Sequence, residues 1–385
     1  MARPLMRETD SRVGFAELFY DLVFVFAITQ VSHLLLHHYS LSGAVETLLV
    51  FLAIWWVWIY STWVLNRLDP DRTYVRGLLF ALMAAGLFLS MSIPQAFGDR
   101  GLIFALAVVA MQVGRTVFVY VAAKGDAQLR KTYLLILIWF LVSAVFWIAG
   151  GLADAHHGRL PLWGVALLIE YLGPVFGFWV PGLGRDGTQN WTVKGGHIAE
   201  RCGLFVIICL GETLLVSGAT FAEMAWTAPG LLAFLSSLFG AIGMWWVYFH
   251  IGHRRGTHQI EHSDDPGRLA RLAFTYAHIP IVAGIVLTAV GAERSIAHPE
   301  DLATLAEAAS VLGGGLLFLA GNGWFKSISG NNFPLSHLVG MGACAALLLA
   351  LPYMNLLGLN LASSTVLLLV AIWEHRSVGH QIAPH

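Results

Sequence analysis

Carboxylates inside apolar segments are the residues of this sequence that are best placed to do chemistry. Glu17 and Asp21 lie four residues apart at the start of the first long apolar run, so they share one face of a helix. If the run spans a membrane, Asp21 lies about 10 Å inside it, where an unpaired carboxylate costs about 2.5–3.5 kcal/mol. We predict either a cation or proton site that faces a cavity, or a carboxylate stabilised by the helix N-terminus and an arginine.

A second polar segment begins at His197 and continues through Glu200 and Arg201 to Glu212 in the seventh apolar run. Arg201 and Glu212 are eleven residues apart, which places them on nearly the same helix face but too far apart to touch. Glu212 falls near the middle of its run, where a carboxylate is typical of a substrate or proton site. The alternative is a glutamate that hydrogen-bonds a neighbouring helix.

Three more polar residues fall inside apolar runs, namely Arg115 in the fourth, Glu170 in the sixth and His278, just before Pro280, in the ninth. An arginine that cannot reach water needs an anion, and a structural Arg115–Glu170 pair is the simplest interpretation. His278 is either a protonation site at a kink or a partner for a backbone carbonyl that the proline leaves free.

No residue pattern predicts a catalytic centre, a metal site or a bound cofactor. The only cluster of metal-ligand types is in the loop after the eighth run, but its spacing fits no tight zinc or nickel signature and two arginines lie within it. Its members are His250, His253, His258, His262 and Glu261. Gly313-Gly314-Gly315 and Gly173-x-x-x-Gly177 predict close packing between helices.

The composition of the chain predicts that these residues lie in a lipid bilayer. Hydrophobic residues make up 57% of the chain and charged residues 12%, about half the charged share of a soluble domain. A soluble protein this apolar could not cover its surface, whereas lipid tails tolerate it. The net charge of −1 gives no indication of a nucleic-acid partner.

An all-α, polytopic bundle of about twelve transmembrane helices follows from the apolar runs, each near the roughly 20 residues that a span requires. The runs are 14–36, 43–65, 75–97, 101–123, 132–152, 160–181, 201–219, 227–250, 268–291, 303–325, 335–352 and 354–374. The last two are separated by so little that they could form one broken element. With both termini in the cytoplasm, 18 lysines and arginines fall on the cytoplasmic side and 3 on the other, as the positive-inside rule expects.

Two six-helix halves, at residues 1–190 and 191–385, are predicted from matches that recur in the same order. Trp55-Trp56-Val57 matches Trp245-Trp246-Val247, and Asp99-Arg100 parallels Glu293-Arg294. Because each half has an even number of helices, the repeat would be parallel. Chance matching between leucine-rich segments is the alternative.

The first polar segment, Glu17-Leu18-Phe19-Tyr20-Asp21, and the second, which ends in Leu210-Gly211-Glu212, resemble the paired signatures of the bacterial low temperature requirement protein A (LtrA) family. The resemblance implies a multispanning bacterial membrane protein associated with growth in the cold. It implies no biochemical activity.

A weaker similarity links Phe19-Tyr20-Asp21-Leu22-Val23-Phe24 to the first-helix signature of a potassium-channel family built from six-helix units. In that family the first helix lines the pore. Here Tyr20 and Leu22 replace a serine and a glycine, and the second half lacks the pattern, which argues against a symmetric pore.

The function predicted from these features is a secondary transporter, or a proton- or cation-coupled permeation protein, linked to cold or stress adaptation. Its partners would be the lipid bilayer and a small ion or solute, and its location the bacterial inner membrane. The alternative is a membrane-embedded enzyme, or a lipid-interacting sensor or scaffold without transport. We consider an enzyme the weaker of these hypotheses, since no catalytic cluster is evident.

Overall fold

Twelve helices make up the computed structural model, which describes residues 6, 12–154, 158–187, 191, 193–250, 264–330 and 332–379. The helices are α1 (Phe15–His37), α2 (Leu41–Arg67), α3 (Thr73–Ser92), α4 (Gly101–Ala122), α5 (Ala127–Leu152), α6 (Arg159–Leu172), α7 (Gly195–Glu223), α8 (Ala228–Phe249), α9 (Pro266–Ala297), α10 (Leu305–Gly330), α11 (Leu335–Leu347) and α12 (Leu356–Gly379). A π-helical turn, Arg271–Tyr276, interrupts α9, and a 3₁₀ segment, Leu348–Tyr353, extends α11. The described residues form no β-strand.

Eleven of these helices are long and apolar enough to cross a membrane, and α6 is the exception. The predicted all-α, multi-pass membrane fold is therefore confirmed. The cytoplasmic placement of the termini, the two halves and their repeat stay predictions.

The predicted sixth span, 160–181, is wrong beyond residue 172, because α6 has only 14 residues. Pro174 has no N–H to continue the helix, and Gly177 and Phe178 then turn the chain with φ values of 62° and 50°. Gly177 therefore serves a turn, and its predicted role in helix packing is also wrong. The chain continues through turns to Asp186.

The segment after α6 is attached along α5 by hydrogen bonds. The Trp139 indole donates to the carbonyl of Trp179 at 3.1 Å, and the Asp186 carboxylate accepts from Gln128 at 2.9 Å and Thr132 at 2.8 Å. The bond to the Trp179 carbonyl satisfies a backbone group that a longer helix would have paired within itself.

The eleventh and twelfth predicted spans are two separate helices. The 3₁₀ segment ends at Tyr353, and the chain enters α12 at Leu356, after Asn355 accepts a hydrogen bond from the backbone N–H of Gly358 at 2.8 Å. α11 and α12 then pack against each other.

Glycine permits the closest helix pair that the structure describes, α9 against α10. A Cβ on Gly284 would lie 2.5 Å from the backbone nitrogen of Phe318, and one on Gly314 would lie 2.7 Å from that of Thr288. Gly314 belongs to the glycine triplet for which close packing was predicted. Small residues at such contacts let two backbones approach in lipid.

The contacts divide the chain into two compact units. Unit 1 comprises Met1–Ile198 with Ser263–Arg268, and unit 2 comprises Ala199–His262 with Leu269–His385.

Candidate functional site

Both carboxylates of the first signature are buried in unit 1, with 0% of Glu17 and 1% of Asp21 exposed. Glu17 is the third residue of α1, and its Oε2 accepts the backbone N–H of Gly14 at 2.8 Å. This is the helix N-terminus role that the sequence analysis left open. Asp21 lies one turn further in, and its Oδ1 accepts the indole N–H of Trp58 on α2 at 2.9 Å.

The other oxygen of Glu17 contacts the second signature. Oε1 lies 2.8 Å from Nε2 of His197 in the first turn of α7, and Asn66 of α2 lies 3.3 Å from the Nδ1 atom of the same ring. Asn66 also exchanges two hydrogen bonds with the backbone of Lys194, at 2.8 and 2.9 Å. The start of α7 is thus attached to α1 and α2. The residues that make these contacts lie far apart in the sequence, so their spacing could not predict the contacts.

Arg115 of α4 is fully buried in unit 1 and touches neutral groups only. Its Nη1 donates to the carbonyl of Val57 at 3.0 Å and to Ser61 at 2.8 Å, both on α2. Its Nη2 donates to the side-chain oxygen of Gln112, and the guanidinium lies 5.6 Å from the Tyr60 ring centre. Arg115 is in no direct ion pair with a residue that the structure describes.

Glu170 of α6 receives three donors. Gln112 donates at 2.9 Å, and Ser143 and Trp147 of α5 each donate at 2.8 Å. All three neighbours are hydrogen-bond donors, and none of them carries a charge. The predicted Arg115–Glu170 pair therefore exists only through Gln112, whose amide accepts from one and donates to the other.

This polar network extends to α1. The Tyr20 hydroxyl lies 2.8 Å from Ser61, which accepts from Arg115. A continuous series of buried hydrogen bonds therefore joins α1, α2, α4, α5 and α6. Tyr20 and Asp21 are neighbours in the first signature, and both contact α2.

In unit 2 the predicted residues lie on one unbroken helix, α7. Arg201 is 0% exposed and Glu212 is 1% exposed, whereas Glu200 is half-buried. The eleven residues between Arg201 and Glu212 correspond to about 16 Å along the axis. Glu212 thus faces the protein interior, and its depth in the membrane stays a prediction.

His278 supports the simpler of its two predicted roles. Its Nδ1 lies 2.8 Å from the carbonyl of Ala273, in the π-helical turn, and its Nε2 lies 2.8 Å from the hydroxyl of Tyr248. A carbonyl can only accept, so Nδ1 carries a proton and Nε2 is left to accept from Tyr248 in the neutral ring. The histidine satisfies a backbone group that the irregular helix leaves free.

Sequence reasoning missed a charged cluster in unit 2. Lys326 of α10 donates to Glu374 of α12 at 2.7 Å, and the two side chains are only 8% and 5% exposed. His337 of α11 is fully buried, with Nδ1 3.4 Å from Glu374 and Nε2 3.3 Å from Asn322 of α10. The positive-inside count treats Lys326 only as one of the 18 basic residues on the cytoplasmic side.

The signal that could have found the cluster is the predicted repeat. Lys326 donates to the carbonyl of Val247 at 2.8 Å, and Arg115 donates to that of Val57. These two valines are the matching residues of the Trp-Trp-Val repeats. Each cation lies on the fourth helix of its half and binds the same position on the second.

The match extends to the rest of each cluster. The glutamates, Glu170 and Glu374, lie on the sixth helix of each half and receive contacts from the fifth. An amide also precedes each cation on the fourth helix, Gln112 by three residues and Asn322 by four. We call each assembly of cation, valine carbonyl, amide and glutamate a charge clamp.

Most of the histidine cluster lies outside the described residues, since 251–263 include His253, His258, His262 and Glu261. Of its members the structure describes His250, whose Nε2 lies 3.3 Å from Nδ1 of His375. In the part of the chain that is described, no three His, Cys, Asp or Glu side chains are grouped to hold a metal ion.

Comparison with known proteins gives two matches. The model of the family described as bacterial low temperature requirement A protein (LtrA) matches residues 12–372. An uncharacterized protein of Rhizobium meliloti (strain 1021) is 42% identical over 373 residues, which are 96% of this chain and 90% of that protein. No solved structure matches the chain.

Proposed function

Because the chain belongs to the bacterial low temperature requirement A (LtrA) family and is a multi-pass integral membrane protein, we propose that it is a secondary transporter or a proton- or cation-coupled permeation protein. In this proposal Asp21 and Glu212 take up the cation or proton. Arg115 holds a fixed counter-charge.

The observation that carries the proposal is the burial of one carboxylate within the first helix of each predicted half. Asp21 and Glu212 are each 1% exposed, inside helices whose composition suits a membrane span. Each costs about 2.5–3.5 kcal/mol at such a depth unless compensated, and buried carboxylates in spans are typical of ion and proton pathways.

The contacts of Asp21 suggest how its charge would change the structure. Its hydrogen bond from Trp58 is charge-assisted while the carboxylate is ionised, and such bonds are about twice as strong as neutral ones. A proton or cation that neutralises Asp21 weakens this contact between α1 and α2. Tyr20 keeps α1 attached to α2 through Ser61, so α1 can shift without separating.

Arg115 suits the role of a fixed charge. Four groups from its own helix and from α2 surround the guanidinium, and Gln112 connects it to Glu170. A guanidinium stays protonated under all ordinary conditions. Its positive charge would lower the cost of an anionic Asp21 or of an anionic substrate in unit 1.

Flux through purified protein in liposomes tests the proposal. Liposomes that enclose a pH-sensitive dye are placed in a proton or cation gradient, and dye response reports flux. We expect Asp21→Asn and Glu212→Gln each to abolish it. The matched controls, Asp71→Asn and Glu223→Gln, remove exposed carboxylates and should leave it unchanged.

The remaining outcomes count against the proposal. Unchanged flux in both carboxylate variants would overturn the site assignment. If no ion or small solute crosses and a lipid is instead turned over, the membrane-enzyme hypothesis replaces transport. If neither occurs, a sensor or scaffold is the better description.

A role in the cold and a location in the bacterial inner membrane are parts of the same proposal. They are supported by the family description and by the eleven candidate spans. A host strain that lacks the gene should grow normally when warm and poorly when cold, and the wild-type gene should restore growth while the Asp21→Asn gene should not. Equal growth of all strains in the cold would contradict the role.

A further inference from the structure

A groove of about 610 Å³ runs between α11 and α12 in unit 2. From α11 it is lined by Ser336, Val339, Gly340 and Ala343, a spacing that places all four on one helix face. The α12 side is lined mainly by Val366, Leu369, Val370 and Trp373. The walls are therefore almost wholly apolar.

The polar residues of the groove are gathered at one end. Ser336 lies in the first turn of α11, and Arg376 and Ser377 lie in the last turn of α12. Arg376 is exposed and is in no ion pair with a residue that the structure describes. One end of the groove thus offers a positive charge, and the rest offers only hydrocarbon contact.

The length of the groove fits one leaflet of a bilayer. Eleven residues separate Val366 from Ser377, which is about 16 Å along the helix axis. The hydrocarbon core of a bilayer is about 30 Å thick, so one leaflet contributes about half of that. Trp373, 42% exposed, lies one turn before Ser377, near the polar end of the groove, and tryptophan is enriched at membrane interfaces.

We propose that this groove binds an anionic phospholipid, with the phosphate at Arg376 and one acyl chain along the apolar walls. A basic residue at the mouth of an apolar groove between transmembrane helices is the arrangement that recognises anionic headgroups. The proposal is independent of transport.

The bound headgroup would lie beside the charge clamp of unit 2. Ser336, which lines the groove, has its hydroxyl 3.2 Å from Nδ1 of His337, and His337 contacts Glu374. Arg376 and Glu374 are two residues apart on α12, so they point to opposite sides of the helix. The same helix turn therefore presents its cation to the lipid and its carboxylate to the interior.

Native mass spectrometry of the full-length protein tests the site, with dioleoyl phosphatidylglycerol and dioleoyl phosphatidylcholine as probes. We expect one phosphatidylglycerol molecule to be retained in preference to phosphatidylcholine. Arg376→Gln should weaken phosphatidylglycerol binding about fivefold, the effect of about one basic residue at a membrane surface. Arg130→Gln, which removes an exposed arginine from the start of α5, is the control.

A second pair of variants tests the apolar part of the groove. Val339→Trp fills it and should exclude both lipids, whereas Leu338→Trp adds the same indole at a neighbouring exposed position and should exclude neither. Glycerol phosphate, which has the charge without the chains, should not compete.

Three results would overturn the proposal. The first is equal retention of the two lipids by the wild-type protein. The second is equal loss of binding in Arg376→Gln and Arg130→Gln. The third is a dimer that dissociates in Val339→Trp without bound lipid, which would make the groove an interface between copies of the chain.

Discussion

The two charge clamps are built on the corresponding helices of the two predicted halves. They differ in how they compensate a buried cation and a buried glutamate. In unit 1 the cation is an arginine, and Gln112 stands between it and Glu170. In unit 2 the cation is a lysine that binds Glu374 directly, and a histidine takes the place of the neutral donors from the fifth helix. Arg115 uses two nitrogens to bind α2 and the Gln112 amide, whereas the single nitrogen of Lys326 binds both the Val247 carbonyl and Glu374.

The two clamps therefore share the positions of their residues within the predicted halves and not the identities of those residues. Unit 1 compensates its glutamate with three donors, and none of these neutral partners changes charge. Unit 2 places the imidazole of His337 against its glutamate, with Nδ1 3.4 Å from Glu374. The first clamp therefore surrounds its glutamate with neutral donors, and the second pairs its glutamate directly with a cation.

The largest effect is expected from Glu374→Leu. It leaves Lys326 buried without its carboxylate, and breaking a buried ion pair from one side costs about 3–5 kcal/mol. The free energy of unfolding in detergent micelles measures this. The double variant Lys326→Met/Glu374→Leu should recover most of it, and a single variant as stable as the wild type would show that Lys326 does not depend on Glu374.

Gln112→Leu should cost about 3 kcal/mol, since it removes one hydrogen bond to each of two charged groups, at about 1.5 kcal/mol each. Asn322→Leu, at the matching place in unit 2, should cost about 1 kcal/mol because the ion pair there is direct. Unfolding of both variants in the same micelles gives the comparison. Equal losses would mean that the clamps do not differ as described.

Arg115→Lys should cost about 2 kcal/mol. A lysine has one nitrogen in place of the two that bind Val57, Ser61 and Gln112, so we expect at least one charge-assisted hydrogen bond to be lost. The reverse change, Lys326→Arg, adds volume to a filled site and should cost about 1–3 kcal/mol. Thermal unfolding of the two variants tests whether each clamp is specific for its own cation, and unchanged stability in both would contradict that.

The smallest effect is expected from Tyr20→Phe, which removes the hydroxyl that lies against Ser61 and should cost about 1 kcal/mol. The control is Tyr248→Phe in unit 2, which removes the hydroxyl at His278 and should have a similar cost. If Tyr20 attaches α1 to the clamp, proteolysis within the N-terminal segment should be faster in Tyr20→Phe only. Equal protection in the two variants would remove α1 from the network.

Composition and the lengths of the apolar runs were enough to predict the fold class, because apolar length decides where a helix can cross lipid. The failure at α6 has a local cause. A run of apolar residues has the same composition whether or not Pro174 and Gly177 turn its backbone. The burial of Asp21, Arg115, Glu170 and Glu212 was likewise predictable from their position inside such runs.

The partners of those residues were not predictable, since they come from other helices. Gln112 and Ser143 are neutral residues that no charge pattern singles out. Lys326 and Glu374 were missed for a different reason, because charges near the ends of a span are usually at the membrane surface and serve topology. The signal in the sequence that pointed to the second clamp is the Trp-Trp-Val match, because the carbonyls of its two valines accept hydrogen bonds from the two cations.

The short α6 has a mechanical consequence for the surrounding bilayer. Its 14 residues cover about 21 Å, less than the roughly 30 Å of a hydrocarbon core. Backbone outside a helix is tolerated at that depth only against protein or water. The segment that follows α6 runs beside α5 from Trp139 to Gln128, about 16 Å of its length, with Phe176 and Trp179 exposed.

We therefore expect the hydrocarbon core of the bilayer to be thinner beside α6 than around the rest of unit 1. Such hydrophobic mismatch costs fractions of a kcal/mol for each ångström, so we expect the thickness of the bilayer to act on the helix that carries Glu170. A thicker membrane would stretch this region, and a thinner one would relax it. Through α6, a change in bilayer thickness would strain the hydrogen bonds that Glu170 makes in the clamp of unit 1.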